Sequence, residues 1–167
     1  MILFKCKCDI HSKKRGIAGR LSNFTRRSFC FDGIPCRSIE GVLQSFKFST
    51  QEERTIVCGL WGIQAKLAGE GRNWKERQVL FWNGKSYPRE SKEYSALLRR
   101  LYDEVYAQDD KFRRDVKRAR SRRLMHTIGK SNPKETVLTE EEFLDLLTAL
   151  SKRSQDHRLS RWLAQPL

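Results

Sequence analysis

Ser38-Ile39-Glu40-Gly41-Val42-Leu43-Gln44-Ser45-Phe46-Lys47-Phe48 is the stretch that decides how this chain is read. Wound as a helix, it places Ile39, Val42, Leu43 and Phe46 on one apolar face. Glu40, Gln44 and Lys47 form a polar stripe beside that face, at i, i+4 and i+7. Ser38 is a good N-cap residue, which sets Glu40 in the first turn, where the helix dipole favours an ionised carboxylate. An acid, an amide and an amine in register at the lip of a core suit a site. The same spacing equally suits a solvated helix face with charge support.

Working outward, residues 2–8 alternate, with Ile2, Phe4, Cys6 and Cys8 on one side, and predict an edge strand. A basic loop from His11 to Gly19 follows. Ser28 to Arg37 reads as a hairpin with Asp32-Gly33 as its turn and Pro35 marking an irregular or edge strand. Thr50-Gln51-Glu52-Glu53 is a capping box. Behind it Ile56, Val57, Leu60, Ile63 and Leu67 keep helical period to about Ala68, and Gly69-Glu70-Gly71 stops that helix. A short helix is expected from Asn73 to Trp82, then a loop through Asn83-Gly84 and Tyr87-Pro88.

Ser91 opens a helix with Tyr94, Leu97, Leu98, Leu101 and Val105 on one face. Residues 111–123 hold eight basic residues and one acid around a narrow seam of Phe112, Val116 and Ala119, a helix with a very basic exposed face. Thr139 to Glu142 is a second capping box, ahead of Phe143, Leu146, Leu147 and Leu150. Residues 154–167 read as a C-terminal tail or docking helix carrying Leu159, Trp162 and Leu163. The sum is one α+β domain over residues 1–153, predominantly helical, with a few short N-terminal strands.

At 167 residues the chain is long enough for a core without staples. No apolar run approaches the ~20 residues that cross a bilayer, and Lys5, Lys7 and Asp9 break the apolar start, so no signal peptide is expected. A soluble, cytoplasmic protein with no membrane contact is the expectation. The five cysteines make no disulfide framework, and Cys6, Cys8 and His11 are too sparse a set to hold a metal. Reduced, mostly buried thiols, no metal and no cofactor are expected. The formal charge of +14 predicts attraction to polyanions, nucleic acid among them.

Around the opening helix stand Gly19-Arg20-Leu21-Ser22-Asn23-Phe24, then Phe29-Cys30-Phe31-Asp32-Gly33, and downstream Ala65-Lys66-Leu67-Ala68-Gly69 and Asn73-Trp74-Lys75-Glu76. In this order the pieces resemble the NADAR/YbiA-like superfamily, most strongly over residues 19–76 and more loosely to 153. The resemblance implies that domain's fold and a pocket for ADP-ribose-like or ribosyl-phosphate substrates. It implies Glu40, the carboxylate of the Ser-x-Glu helix, as a catalytic residue, with Ser22, Asn23, Phe24, Gln44, Lys47 and Trp74 binding substrate. His126-Thr127 resembles a His-Thr pair of the same region in the family. The family's C-terminal WG-x-G segment with its acid has no counterpart, and Glu135, or else Glu140, stands where a second acid is needed.

The chemistry this suggests is hydrolysis of a ribosyl N-glycosidic bond, in which a fixed carboxylate stabilises oxocarbenium-like charge or activates water. An ionised Glu40 suits the stabiliser or base better than the acid. Lys47 would hold a phosphate, Asn23 the ribose hydroxyls, and Trp74 a flat wall. Ordinary readings stand beside these: Trp74 as core, Asn23 as a turn residue, Lys47 snorkelling from the core edge. The family's activities include removing ADP-ribose from guanine bases in nucleic acid and cleaving phosphoribosylamino intermediates of riboflavin synthesis. The charge, with Arg118, Arg120, Arg122 and Arg123 as phosphate contacts, favours the nucleic-acid substrate. The alternatives are a non-catalytic module that binds NAD, ADP-ribose or modified nucleic acid, a glycosidase acting on those phosphoribosylamino riboflavin intermediates, and a purely structural nucleic-acid binder.

Overall fold

The computed structural model describes residues 5–163, with side chains described to residue 153. Its elements run β1 (Lys7–Asp9), α1 (Gly16–Arg20), β2 (Phe29–Phe31), β3 (Ile34–Cys36), α2 (Ile39–Ser45), α3 (Gln51–Cys58), α4 (Gly62–Ala68), α5 (Trp74–Arg77), β4 (Val79–Trp82), β5 (Lys85–Pro88), α6 (Lys92–Gln108), α7 (Asp110–Ala119), β6 (Arg123–Met125), a 3-10 turn (Pro133–Glu135) and α8 (Glu140–Leu163).

The opening stretch forms α2, and every one of its residues is buried. Ser38 caps it by accepting the Gly41 N–H. Gly41 is required by close approach: a Cβ there would lie 2.7 Å from the Leu60 carbonyl oxygen and 2.9 Å from that of Val57. The α3–α4 junction is therefore seated directly on the backbone of α2. Phe46, just past the helix, meets Trp82 and Tyr94 edge-on at 5.4 and 6.0 Å, and Trp82 stacks on Phe31 at 4.9 Å. The long helix α6 closes this core with Tyr94, Leu97, Leu98, Leu101, Tyr102 and Val105.

Three two-stranded ladders surround the helices. β2–β3 and β4–β5 are antiparallel hairpins, whereas β1 pairs in parallel with β6, Lys7 opposite Arg123. Both hairpins turn on residues with positive φ, Asp32 (47°) with Gly33 (82°) and Asn83 (48°) with Gly84 (75°), the geometry that matches the twist of the flanking strands. Asp32 also accepts from Trp82 Nε1 at 2.7 Å and takes a bidentate pair from Arg100 at 2.8 Å. Arg20 pairs with Asp115, joining α1 to α7, and Arg89 grips Glu142 of α8 through two bonds of 2.9 and 2.7 Å.

Several expectations change. The loop from His11 to Gly19 contains the start of α1. The helix expected from Thr50 to Ala68 breaks into α3 and α4, because Gly62 takes a φ of 58°. In consequence Ile56, Ile63 and Leu67 face solvent rather than the core. The helix expected to reach Trp82 stops at Arg77, where Gln78 adopts the left-handed conformation, and the apolar run that follows becomes β4. Asn83-Gly84 is thus a hairpin turn within β4–β5, not a loop, and strands are not confined to the N-terminal part. Lys47 lies in the turn after α2, whose last residue is Ser45. Of the expected first strand, Lys7–Asp9 pairs, Cys8 is buried and Cys6 exposed; Ile2 and Phe4 lie outside the described residues. The helix α8 passes Ser154, and the expected docking of Leu159, Trp162 and Leu163 lies outside the described side chains.

Candidate functional site

The loop Leu21–Thr25 is tied to the start of α2, since the Asn23 carbonyl accepts the Glu40 N–H at 3.0 Å. Asn23 Oδ1 accepts the hydroxyl of buried Tyr102 at 2.7 Å, so α6 fixes the orientation of the amide. Along α2, Gln44 Nε2 donates to Glu40 Oε1 at 2.8 Å. The Gln44 side chain lies flat on Gly69, where a Cβ would stand 1.9 Å from Gln44 Oε1. That oxygen is buried and has no hydrogen-bond partner. Lys47 Nζ donates to the Gly69 carbonyl at 3.1 Å and sits 5.9 Å from the centre of the Trp74 indole. Glycine at 69 lets the chain pass close enough to serve both side chains.

Glu40 is only 9% exposed. Burial pushes its carboxyl above the ordinary range, against the opposing pull of the Gln44 bond and of the Lys47 and Lys66 charges. This direction runs against the ionised Glu40 expected from the helix dipole: loss of water at the buried carboxyl opposes that dipole. Burial likewise lowers Lys47, to about 8, with Glu40 and Glu70 resisting and Lys75 and Lys130 assisting. Buried Tyr102 is raised well above its usual value, first by desolvation and also by the Glu40 charge. Among the described residues no group of three His, Cys, Asp or Glu side chains is placed to hold a metal ion.

The structure thus brings Asn23, Glu40, Gln44, Lys47 and Trp74 together. Trp74 is 4% exposed and belongs to the core as well as to the lysine's surroundings. Ser22 is buried and its hydroxyl accepts the Phe24 N–H at 3.2 Å, so it shapes the loop. Phe24 is half-buried, and its carbonyl receives the N–H of Gly62. His126 Nδ1 lies 2.7 Å from the Ile10 carbonyl and its ring meets Phe143 edge-on, while Thr127 bonds Asp9 through hydroxyl and N–H. These two residues fasten the β6 loop to β1, and that loop carries Lys130 into the surroundings of Lys47. Glu135 is exposed on the 3-10 turn, and among the described residues no contact joins it to Glu40. Glu140 begins α8, with its N–H bonded to the Lys130 carbonyl.

Arg118, Arg120, Arg122 and Arg123 are exposed at the end of α7 and the start of β6. The parallel register sets Lys7 beside Arg123, which extends the basic face onto β1. Two residues of the site were missed by sequence reasoning. Lys66 had a signal, because it lies in the Ala65-Lys66 piece of the motif order. Tyr102 had none: on α6 it reads as one more core aromatic.

The family model described as Bacteriophage protein GP30.3 matches residues 15–152. The chain belongs to that family. A relative from Enterobacteria phage T4, described as an uncharacterized 17.1 kDa protein in the Gp30-rIII intergenic region, is 34% identical over 144 residues, covering 85% of this chain and 95% of the relative. Among solved structures, the NMR structure of the E. coli protein YbiA matches with a TM-score of 0.64 at 17% identity, over 95% of this chain and 90% of YbiA. That likeness establishes a YbiA-like α+β fold. The GP30.3-family chain thus shares the fold of YbiA, the fold that its motif order implied. The matched span includes both the Glu40 cluster and the basic end of α7.

Proposed function

We propose that this GP30.3-family chain is an N-glycosidase that hydrolyses a ribosyl N-glycosidic bond of an ADP-ribose-type substrate, removing ADP-ribose from guanine bases of nucleic acid. The observation that carries the reading is the buried Glu40 carboxyl, bonded to Gln44 and facing the charges of Lys47 and Lys66. A proton held on Glu40 passes to the departing base nitrogen as the anomeric C–N bond breaks and its electron pair leaves with the base. Water then attacks the sugar carbon, and its proton returns to Glu40. One carboxyl that recycles its proton this way needs no second acid, which agrees with the exposed position of Glu135. Acid–base help of this kind contributes roughly 10²–10⁴ in rate. Lys47 and Lys66 hold the phosphates, and Asn23, fixed by Tyr102, addresses the ribose.

The basic end of α7 supports the choice of polymer. Phosphate contacts from Arg118, Arg120, Arg122 and Arg123 give affinity without sequence preference. Neutralising the four should lower turnover of a nucleic-acid substrate at physiological salt, and unchanged turnover removes that part of the proposal. A non-catalytic binding module is the second reading, favoured by the near-complete enclosure of Glu40 and by the lone acid. Product analysis on a guanine-ADP-ribosylated oligonucleotide tests both. Release of free ADP-ribose supports the glycosidase, tight binding without release supports the module, and neither result would direct attention to small ribosyl phosphates.

A further inference from the structure

Of the five large apolar side chains exposed among the described residues, four lie on or between α3 and α4: Ile56, Trp61, Ile63 and Leu67. Trp61 caps α4 and is 38% exposed, with the Arg26 guanidinium 4.5 Å above its ring. The other cations at this junction are Arg37, whose N–H bonds the Cys58 carbonyl, and Lys66, on the same helix as Ile63 and Leu67; both are exposed. The acids of the segment, Glu52 and Glu53, sit at the opposite end of α3.

The junction is braced on the candidate site from two sides. Gly62 donates to the Phe24 carbonyl at 3.1 Å, next to Asn23, and Ser38, the cap of the Glu40 helix, donates to the Leu60 carbonyl at 2.9 Å. A partly exposed indole beside a guanidinium offers a π surface for a base and a donor fork for a phosphate. The neighbouring aliphatic side chains alone would suit a protein partner. The indole, three cations and a net charge of +14 suit a nucleotide strand.

We propose that Trp61 and Arg26 form a stacking platform for an unpaired nucleotide of a single-stranded nucleic acid, which positions the strand beside the Glu40 cluster. The platform rests on the nucleic-acid reading above for its biological substrate, but not for its test. An unmodified oligonucleotide reports the platform whether or not any bond is cleaved.

The experiment is fluorescence anisotropy with a labelled short oligothymidylate and with a labelled duplex of equal length, at fixed salt. Wild type should bind the single strand more tightly. Trp61→Ala should weaken single-strand binding roughly 5- to 150-fold, the scale of one lost base–aromatic stack, with little change for duplex. Trp61→Phe should restore most of the loss, because it keeps a ring. Trp61 is partly exposed at a helix cap, and an unchanged melting temperature shows that Trp61→Ala remains folded. Equal single-strand affinity for wild type and Trp61→Ala would overturn the proposal. So would a Trp61→Ala protein that loses concentration-dependent self-association while its oligonucleotide affinity stays the same. If Trp61→Ala weakens binding as expected while wild type releases no ADP-ribose, the platform stands and the glycosidase reading falls.

Discussion

The helix α2 and the segment α3–α4 begin alike and end differently. Both open on a hydroxyl cap, Ser38 and Thr50, and both carry apolar residues at helical spacing. The apolar face of α2 is wholly enclosed, while Ile56, Ile63 and Leu67 stand in solvent at 68, 58 and 54% exposure. Periodicity says that a helix has an apolar face. It does not say whether this chain or another molecule covers it. Here the enclosed face positions the buried Glu40, whose carboxyl is shifted upward by burial, and the open face borders the proposed platform.

The contrast is sharpest in stability. Leu43→Ala, in α2, should cost about 2–5 kcal/mol, whereas Ile63→Ala should stay within about 0.5 kcal/mol. Denaturant melts of the two variants check the pair, and equal costs would break the comparison. Gly41→Ala should cost about 1–3 kcal/mol, because its Cβ would meet two backbone carbonyls of the α3–α4 junction that have little freedom to retreat. Thermal unfolding measures it. Loss of the Ser38 cap in Ser38→Ala should cost about 1 kcal/mol.

Lys47 supplies a test by pH. Its value of about 8 means that the charge proposed to hold phosphate is lost as pH rises through that point, so KM should climb on the alkaline side. Lys47→Arg keeps its charge and should abolish that limb. The stability effect has the opposite sign. Between about 8 and the ordinary 10.5 the folded state binds fewer protons at Lys47 than the unfolded chain, so its contribution to stability improves as pH rises across that window. An alkaline limb that persists in Lys47→Arg would assign it to another group.

What was legible in the sequence follows the range of the forces involved. The caps at Ser38, Thr50, Ser91 and Thr139 act within one turn, and all four bond as expected. The Asp32-Gly33 hairpin is equally local. Gln78 defeated the expectation of a helix to Trp82, because a left-handed glutamine has no signature in its residue type. The parallel pairing of Lys7 with Arg123 joins segments far apart in the chain, and no local pattern announces it. At the candidate site, the grouping of Asn23, Glu40, Gln44, Lys47 and Trp74 was expected because their order resembles a known family. The protonation tendency of Glu40 was not, since it depends on burial by elements that the stretch itself does not contain.

The central claim is that the enclosed Glu40 carries a proton that the reaction uses. Glu40→Gln keeps the shape and a partner for Gln44. It also removes a carboxyl whose stabilising contribution is present below the ordinary carboxylate range and lost as pH rises through its raised value. Glutamine cannot ionise in the buried position, so the variant should be at least as stable as wild type at neutral pH. Turnover of a guanine-ADP-ribosylated oligonucleotide by wild type and Glu40→Gln, measured beside their affinities for it, is the most direct test. The account expects binding to hold and release of ADP-ribose to fall by about 10²–10⁴. Release at the wild-type rate by Glu40→Gln would contradict it.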